Sequence, residues 1–219
     1  MSTRRGRVVI VMHAHRSAKP VIQLVVSCIV LGTGVALLLS VALGSDGYST
    51  FVNGVSLTLD VPFLAVNCVL GVVLVALAWW RGLVPGVGTI VQPVVVGATV
   101  SLVMSQVSAP HGLVARVAVL LVAFVVLAAG VAGYLGSATG AGPTEAAALA
   151  FDPPVPFRWS YTVVQASGAL GGWLLGAAIG PGTILVIVLI GPAVDLITRR
   201  LPALGTPPVR KIQQQISRP

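Results

Sequence analysis

Charge is what this chain has least of: Asp, Glu, Lys and Arg make up 8% of its 219 residues, where a soluble domain carries about a quarter. A chain that is 56% hydrophobic, with a mean hydropathy of +1.01, has no charged coat to hold it in water. That excludes soluble enzymes, nucleic-acid modules and disordered tails, and it makes the chain an integral membrane protein. Cysteine and histidine are scarce as well. Cys28 and Cys68 sit inside apolar runs, where a thiol packs as a small hydrophobe, so no disulfide framework is expected. His13, His15 and His111 have no ligand spacing around them, and no metal site is expected. There is no HExxH, no GxSxG and no Cys/His pair within a span. The chain is therefore not expected to be an enzyme, and no catalytic residue and no cofactor is assigned.

The cations that are present cluster at the ends. Arg4, Arg5, Arg7, Arg16 and Lys19 precede the first apolar run, and Arg199, Arg200, Arg210, Lys211 and Arg218 follow the last. A net charge of +8 would suggest nucleic acid in a soluble protein, but this placement fits cytoplasmic flanks of a membrane protein, and no nucleic-acid partner is expected.

Six stretches approach the roughly 20 apolar residues needed to cross a bilayer: Val21 to Leu43, Val61 to Trp80, Val87 to Val107, Val117 to Leu135, Trp159 to Ile179, and the shorter Thr183 to Ile197. The first is too long for the core of a signal peptide. Gly44 to Asp60 and Gly136 to Pro156 are too polar to span and too apolar for ordinary loops, so each is expected to hold a short interfacial or re-entrant helix. With the N-terminus inside, twelve cations fall on the cytoplasmic side and Arg116 alone outside, which predicts six spans with both termini cytoplasmic.

The most specific signal is an internal repeat. Trp79, Gly82, Gly86, Gly88, Thr89, Ile90 and Gly97 recur 94 positions later as Trp173, Gly176, Gly180, Gly182, Thr183, Ile184 and Gly191. With a two-residue shift, Gly44 to Gly47 falls opposite Gly140 to Pro143, and Gly34 opposite Gly130. Each half holds three spans, an odd number, so the second copy enters the membrane from the other side. The expected fold is an all-α polytopic membrane helix bundle of two inverted three-helix repeats, residues 21–107 and 117–197, with basic tails at 1–20 and 198–219. Many secondary transporters are built this way, with their site at the repeat interface.

The GxGT turns, together with Gly140-Ala-Gly-Pro-Thr-Glu145 after the fourth span, resemble the bacterial YczE/YitT family of integral membrane proteins. The resemblance runs from about Val30 to Ile197 and is clearest from Gly130 to Asp195. It implies a bacterial inner-membrane location and this fold, and it carries no activity.

Candidate residues follow from polarity inside the spans, where a side chain without a partner is costly. Asp195 is the acid placed within a span, either binding a cation or proton in the bundle interior or pairing with Arg199 one turn later. Asn67 and Gln165 stand at nearly corresponding positions of the repeats, either near the pseudo-axis or bonding neighbouring helices, and Gln92 and Gln106 are the other amides. Thr89 and Thr183 follow the paired glycines Gly86, Gly88 and Gly180, Gly182, as helix caps or as exposed hydroxyls. Glu145 suits the first turn of a helix begun by Pro143. Gly168, Gly172, Gly176 and Gly180 form a four-residue ladder expected to run down the fifth span and to let another backbone approach. The functional expectation is a transporter of an unidentified small molecule or ion, with the bilayer and a second copy of the chain as candidate partners. The alternative is a scaffold that assists or senses another membrane complex.

Overall fold

A computed structural model describes residues 18–152 and 154–204; Arg4, Arg5, Arg7, Arg16, Arg210, Lys211 and Arg218, with His13 and His15, lie outside the described residues. The chain forms α1 (Ala18–Ser40), α2 (Gly47–Leu59), α3 (Phe63–Trp80), α4 (Val87–Gln106), α5 (Leu113–Gly136), α6 (Pro143–Leu149), α7 (Phe157–Leu174) and α8 (Pro181–Arg200), followed by a 3-10 turn at Pro202–Leu204. Five helices, α1, α3, α4, α5 and α8, are long and apolar enough to cross a membrane. Their outer surfaces are apolar too: Val72, Trp80, Val114 and Ile184 are all more than two thirds exposed, a surface that lipid covers and water would not. The protein is a polytopic membrane helix bundle.

α1 and α5 form its centre. Gly34 lies against the backbone of Leu127, where an added Cβ would stand 2.6 Å from its amide nitrogen, and Gly130 lies against Leu31, with 2.5 Å to its Cα. As the chain advances from 31 to 34 on α1 its partner retreats from 130 to 127, so the two helices run antiparallel. Both ends agree: Gln23 at the start of α1 donates to the Gly133 carbonyl at 2.9 Å, and Arg116 at the start of α5 donates through Nε to the Val41 carbonyl at 2.6 Å. Around the crossing the core is Leu24, Cys28, Val35, Leu38, Val100, Leu120 and Val186.

The two short helices form where the sequence is too polar to span. Asp46 caps α2, its carboxylate accepting from the Ser49 amide at 2.9 Å, and α2 ends at Asp60 in the left-handed conformation. Pro143 opens α6 as its first residue, where a missing N–H costs nothing. α2 docks on α7 in parallel: Gly47 packs on the Gln165 carbonyl, Gly54 on Gly172, and Thr58 donates to the Leu175 carbonyl at 3.1 Å. α6 docks likewise on α3, from Gly71 against Pro143 to Arg81, which donates to the Ala150 carbonyl at 3.1 Å with its guanidinium over the Phe151 ring.

The two GxGT turns sit at opposite ends of the α1 and α5 pair. Gly182 donates to the Leu43 carbonyl at 2.9 Å and Gly88 to the Thr139 carbonyl at 3.0 Å, and Leu43 and Thr139 follow the ends of α1 and α5. Gly44 (φ +100°) faces Thr183, and Gly140 (φ +146°) faces Thr89. Both backbones are in the region that favours glycine, and a Cβ would collide with the threonine opposite.

Two boundaries differ from expectation. α7 stops at Leu174 instead of continuing to Ile179. The Leu175 amide turns back to Gly171 and Gly172, and Gly176 takes φ +88°. Gly176 and Gly180 therefore leave the ladder for the turn before α8, while Gly168 and Gly172 stay on α7 and meet the Gly47 and Thr50 carbonyls of α2. The final helix is not short, because Pro181 starts it one residue before Gly182 and it runs 20 residues to Arg200.

Candidate functional site in the central cavity

A cavity with about 650 Å³ of atom-free space, its mouth included, opens beside the α1 and α5 crossing. Leu31 and Val35 of α1, Leu127 and Val131 of α5 and Val186 and Ile190 of α8 form its apolar wall. Its polar wall is brought by the two short helices and the amides facing them: Asp46, Tyr48, Thr144 and Glu145, with Asn67, Gln92 and Gln165. α2 and α6 both begin here and run outward, α2 toward Leu175 and α6 toward Arg81, which is toward opposite ends of the α1 and α5 pair. Both short helices thus start at one cavity deep in the bundle.

Each polar residue is held by a contact that the local chain dictates. Gln165, 4% exposed, accepts from the Tyr48 amide at 3.0 Å and donates to the Tyr161 hydroxyl at 2.9 Å. It thus satisfies one of the free N–H groups at the start of α2. Asn67, 2% exposed, donates to the Pro93 carbonyl at 2.6 Å, within a helix whose ladder Pro93 interrupts. Tyr134 receives the Gly142 amide on its hydroxyl and donates to Glu145 Oε2 at 3.4 Å, while Thr144 donates to the same oxygen at 3.1 Å. The Tyr161 ring is fixed by stacking on Phe157, centroids 5.5 Å apart.

The electrostatics are set by burial. Asp46 and Glu145 are half-buried and face this cavity, where desolvation raises both carboxyls above the ordinary carboxylate range. For Asp46 that rise works against hydrogen bonds from the Ser49 amide and hydroxyl and from Ser45. For Glu145 the Asp46 charge adds to it, against the Thr144 and Tyr134 hydroxyls.

Both groups hold a proton more tightly in the folded protein than in the unfolded chain. The stability they contribute is full below the ordinary range near pH ~4 and is lost as pH rises through their raised values. Thermal unfolding in detergent should therefore show a midpoint that falls as pH rises above that range. The double variant Asp46→Asn, Glu145→Gln should flatten most of that slope; an unchanged slope would contradict the assignment.

Of the residues singled out from the sequence, the structure brings Asn67, Gln92, Gln165 and Glu145 to this one cavity, while Gln106 is exposed at the end of α4. Thr89 and Thr183 lie outside its lining as buried caps of the two turns, accepting from the Gly86 amide at 3.1 Å and the Gly180 amide at 3.4 Å. The glycines Gly86, Gly88, Gly180 and Gly182 serve those turns. Asp195 does not come to the cavity: it is exposed near the end of α8, so of its two expected settings, the bundle interior or a position one turn from Arg199 at the helix end, it does not take the interior one. Asp46 and the tyrosines were not singled out. One signal was available for Asp46: Gly44-Ser-Asp46-Gly47 stands opposite Gly140 to Pro143 in the repeat, which puts an acid three positions, about one helical turn, before the place matching Glu145.

No curated protein matches the chain, and no solved structure matches it. A match to a protein family covers residues 18–199, which takes in all eight helices to within one residue of the end of α8 and every residue of the cavity. The chain belongs to the family described as a family of unknown function, DUF6198.

Proposed function

We propose that the protein is a transporter of a small molecule or ion, with six spans in two inverted halves, residues 21–107 and 117–197, both termini cytoplasmic and the solute site in the central cavity. The kinship with the YczE/YitT family belongs to the same reading. The observation that carries it is the cavity itself, polar, lined from both halves and entered by the first turns of α2 and α6. Broken helices whose ends meet at a midplane cavity are how many secondary transporters hold solute. A scaffold needs no such space, and a solid apolar bundle would serve it better.

The inverted arrangement is supported by contacts that repeat at two nearly equal offsets. Leu31 with Gly130 answers Leu127 with Gly34 at 96 positions, and the two GxGT turns answer each other at 94, on antiparallel α1 and α5. α7 is the sixth span in this reading. Its 18 residues are less apolar than the other spans because one face carries Tyr161 and Gln165 to the cavity.

The experiment is solute flux into proteoliposomes holding the full chain, with a panel of radiolabelled amines, amino acids, carboxylates and sugars. At least one class should enter faster than into empty vesicles. Ile190→Trp, which fills the cavity from α8, should return that flux to background in protein that still folds. Flux that survives the plugged cavity, or no flux of any class, would overturn the proposal.

A further inference from the structure

We infer that the central cavity is a binding site for a small organic cation, held by Asp46 and Glu145 and admitted in exchange for a proton. The inference rests on the transport reading above and names the class of its solute.

Charge comes first. Asp46 and Glu145 are the charged side chains among the described residues lining the cavity, and no lysine, arginine or histidine joins them there. Among the described side chains, the elements packed around it add no cation: α1 brings Cys28 nearby, its Lys19 being exposed at the start of the helix, α3 brings Cys68, α5 Tyr134 and α7 Tyr161, while α4 carries no titratable side chain. The cations and acids nearest in sequence face elsewhere. Arg116 is committed to the Val41 carbonyl and Arg81 to the Ala150 carbonyl, and Asp195, Arg199 and Arg200 are exposed on α8. A carboxylate taken from water without a counter-charge is disfavoured, so the cavity shifts its carboxyls toward the protonated form. A cation entering it supplies the missing partner. The carboxyl O–H then gives its proton to water, and the carboxylate left behind pairs with the cation. An anion would meet two acids and no donor of opposite charge.

The rest of the lining selects an organic cation over a metal ion. Among the described residues no group of three His, Cys, Asp or Glu is placed to hold a metal, and a hard divalent ion seeks six or more oxygen ligands. The apolar wall of Leu31, Val35, Val131 and Ile190 suits a hydrocarbon body instead. Tyr48, Tyr134 and Tyr161 contribute aromatic rings, whose faces attract ammonium groups.

The test uses three solutes that share a four-carbon chain and differ in charge: butylammonium, butanol and butyrate. Binding to the full chain in lipid nanodiscs is followed by calorimetry in two buffers of different ionisation enthalpy. Butylammonium should bind more tightly as pH rises, releasing about one proton per cation, and butanol and butyrate should bind at least tenfold more weakly, one decade being about 1.4 kcal/mol.

Asp46→Asn and Glu145→Gln should each weaken butylammonium about thirtyfold or more, as when one partner of a buried charge pair is removed. Both variants keep an acceptor oxygen at the α2 cap or beside Tyr134, so their thermal unfolding should stay close to that of the parent protein. Equal binding of butanol or butyrate, binding without proton release, or unchanged affinity in both folded variants would overturn the inference. So would no binding of any of the three. The transport reading would still stand if the flux panel succeeded and the Ile190→Trp variant abolished that flux.

Discussion

Leucine in place of Gly130 is expected to force α1 and α5 apart and leave little folded protein. At Gly130 even a Cβ would stand 2.5 Å from Leu31 Cα, and at Gly34 it would stand 2.6 Å from the Leu127 amide nitrogen. In both cases the obstacle is backbone, which cannot swing aside as a flexible side chain can. Overpacking a core costs typically 1–3 kcal/mol, occasionally more, and here the crossing also positions Leu31 and Leu127 on the cavity. Gly130→Leu and Gly34→Leu should therefore each lower the thermal midpoint in detergent sharply and reduce the yield of monodisperse protein. Because the two sites share one crossing, the double variant should cost less than the sum of the singles. The control is Gly191→Leu, a helical glycine with nothing within 4 Å of its added Cβ, which should be nearly silent. Equal losses at Gly130 and Gly191 would mean that the crossing does not govern stability, since leucine is the better helix former at both sites.

The bundle was readable in the sequence because lipid imposes a simple rule. Each long apolar run became a helix close to its expected bounds, and the two stretches of intermediate polarity became α2 and α6. The GxGT turns were readable for the same kind of reason: a tight approach needs glycine, and the threonine that follows caps its own turn. What composition could not disclose was which polar groups meet. Asp46 lies outside every apolar run, in a stretch expected to hold a short helix but with nothing to mark its carboxyl, and the chain after α1 folds back and starts α2 from within the bundle. Asp195 looked embedded because its neighbours are apolar, yet it lies near the end of α8, where the helix is exposed. Tyr48, Tyr134 and Tyr161 stand at no common spacing, and only the packing of α2, α5 and α7 gathers them. The glycine ladder misled past Leu174, because the property that lets helices approach, absence of a Cβ, also lets Gly176 end one.

The account stands or falls on whether the central cavity communicates with water on both sides of the membrane, and a cysteine at its wall reads that directly. Val131 lines the cavity from α5, and Val131→Cys is a small change of side-chain volume. Cys28 and Cys68 are first replaced by alanine, so that the introduced thiol is the one that reacts. In sealed proteoliposomes of known protein orientation, a membrane-impermeant methanethiosulfonate carrying a quaternary ammonium group is added to one side or the other. The control is Val125→Cys on the same helix, 61% exposed on the outer surface, which lipid should shield from this reagent. The account predicts that Val131→Cys is modified from either side, that Val125→Cys is modified from neither, and that butylammonium slows the reaction at Val131→Cys. Modification of Val131→Cys from neither side, or from one side alone, in protein that remains folded would contradict it.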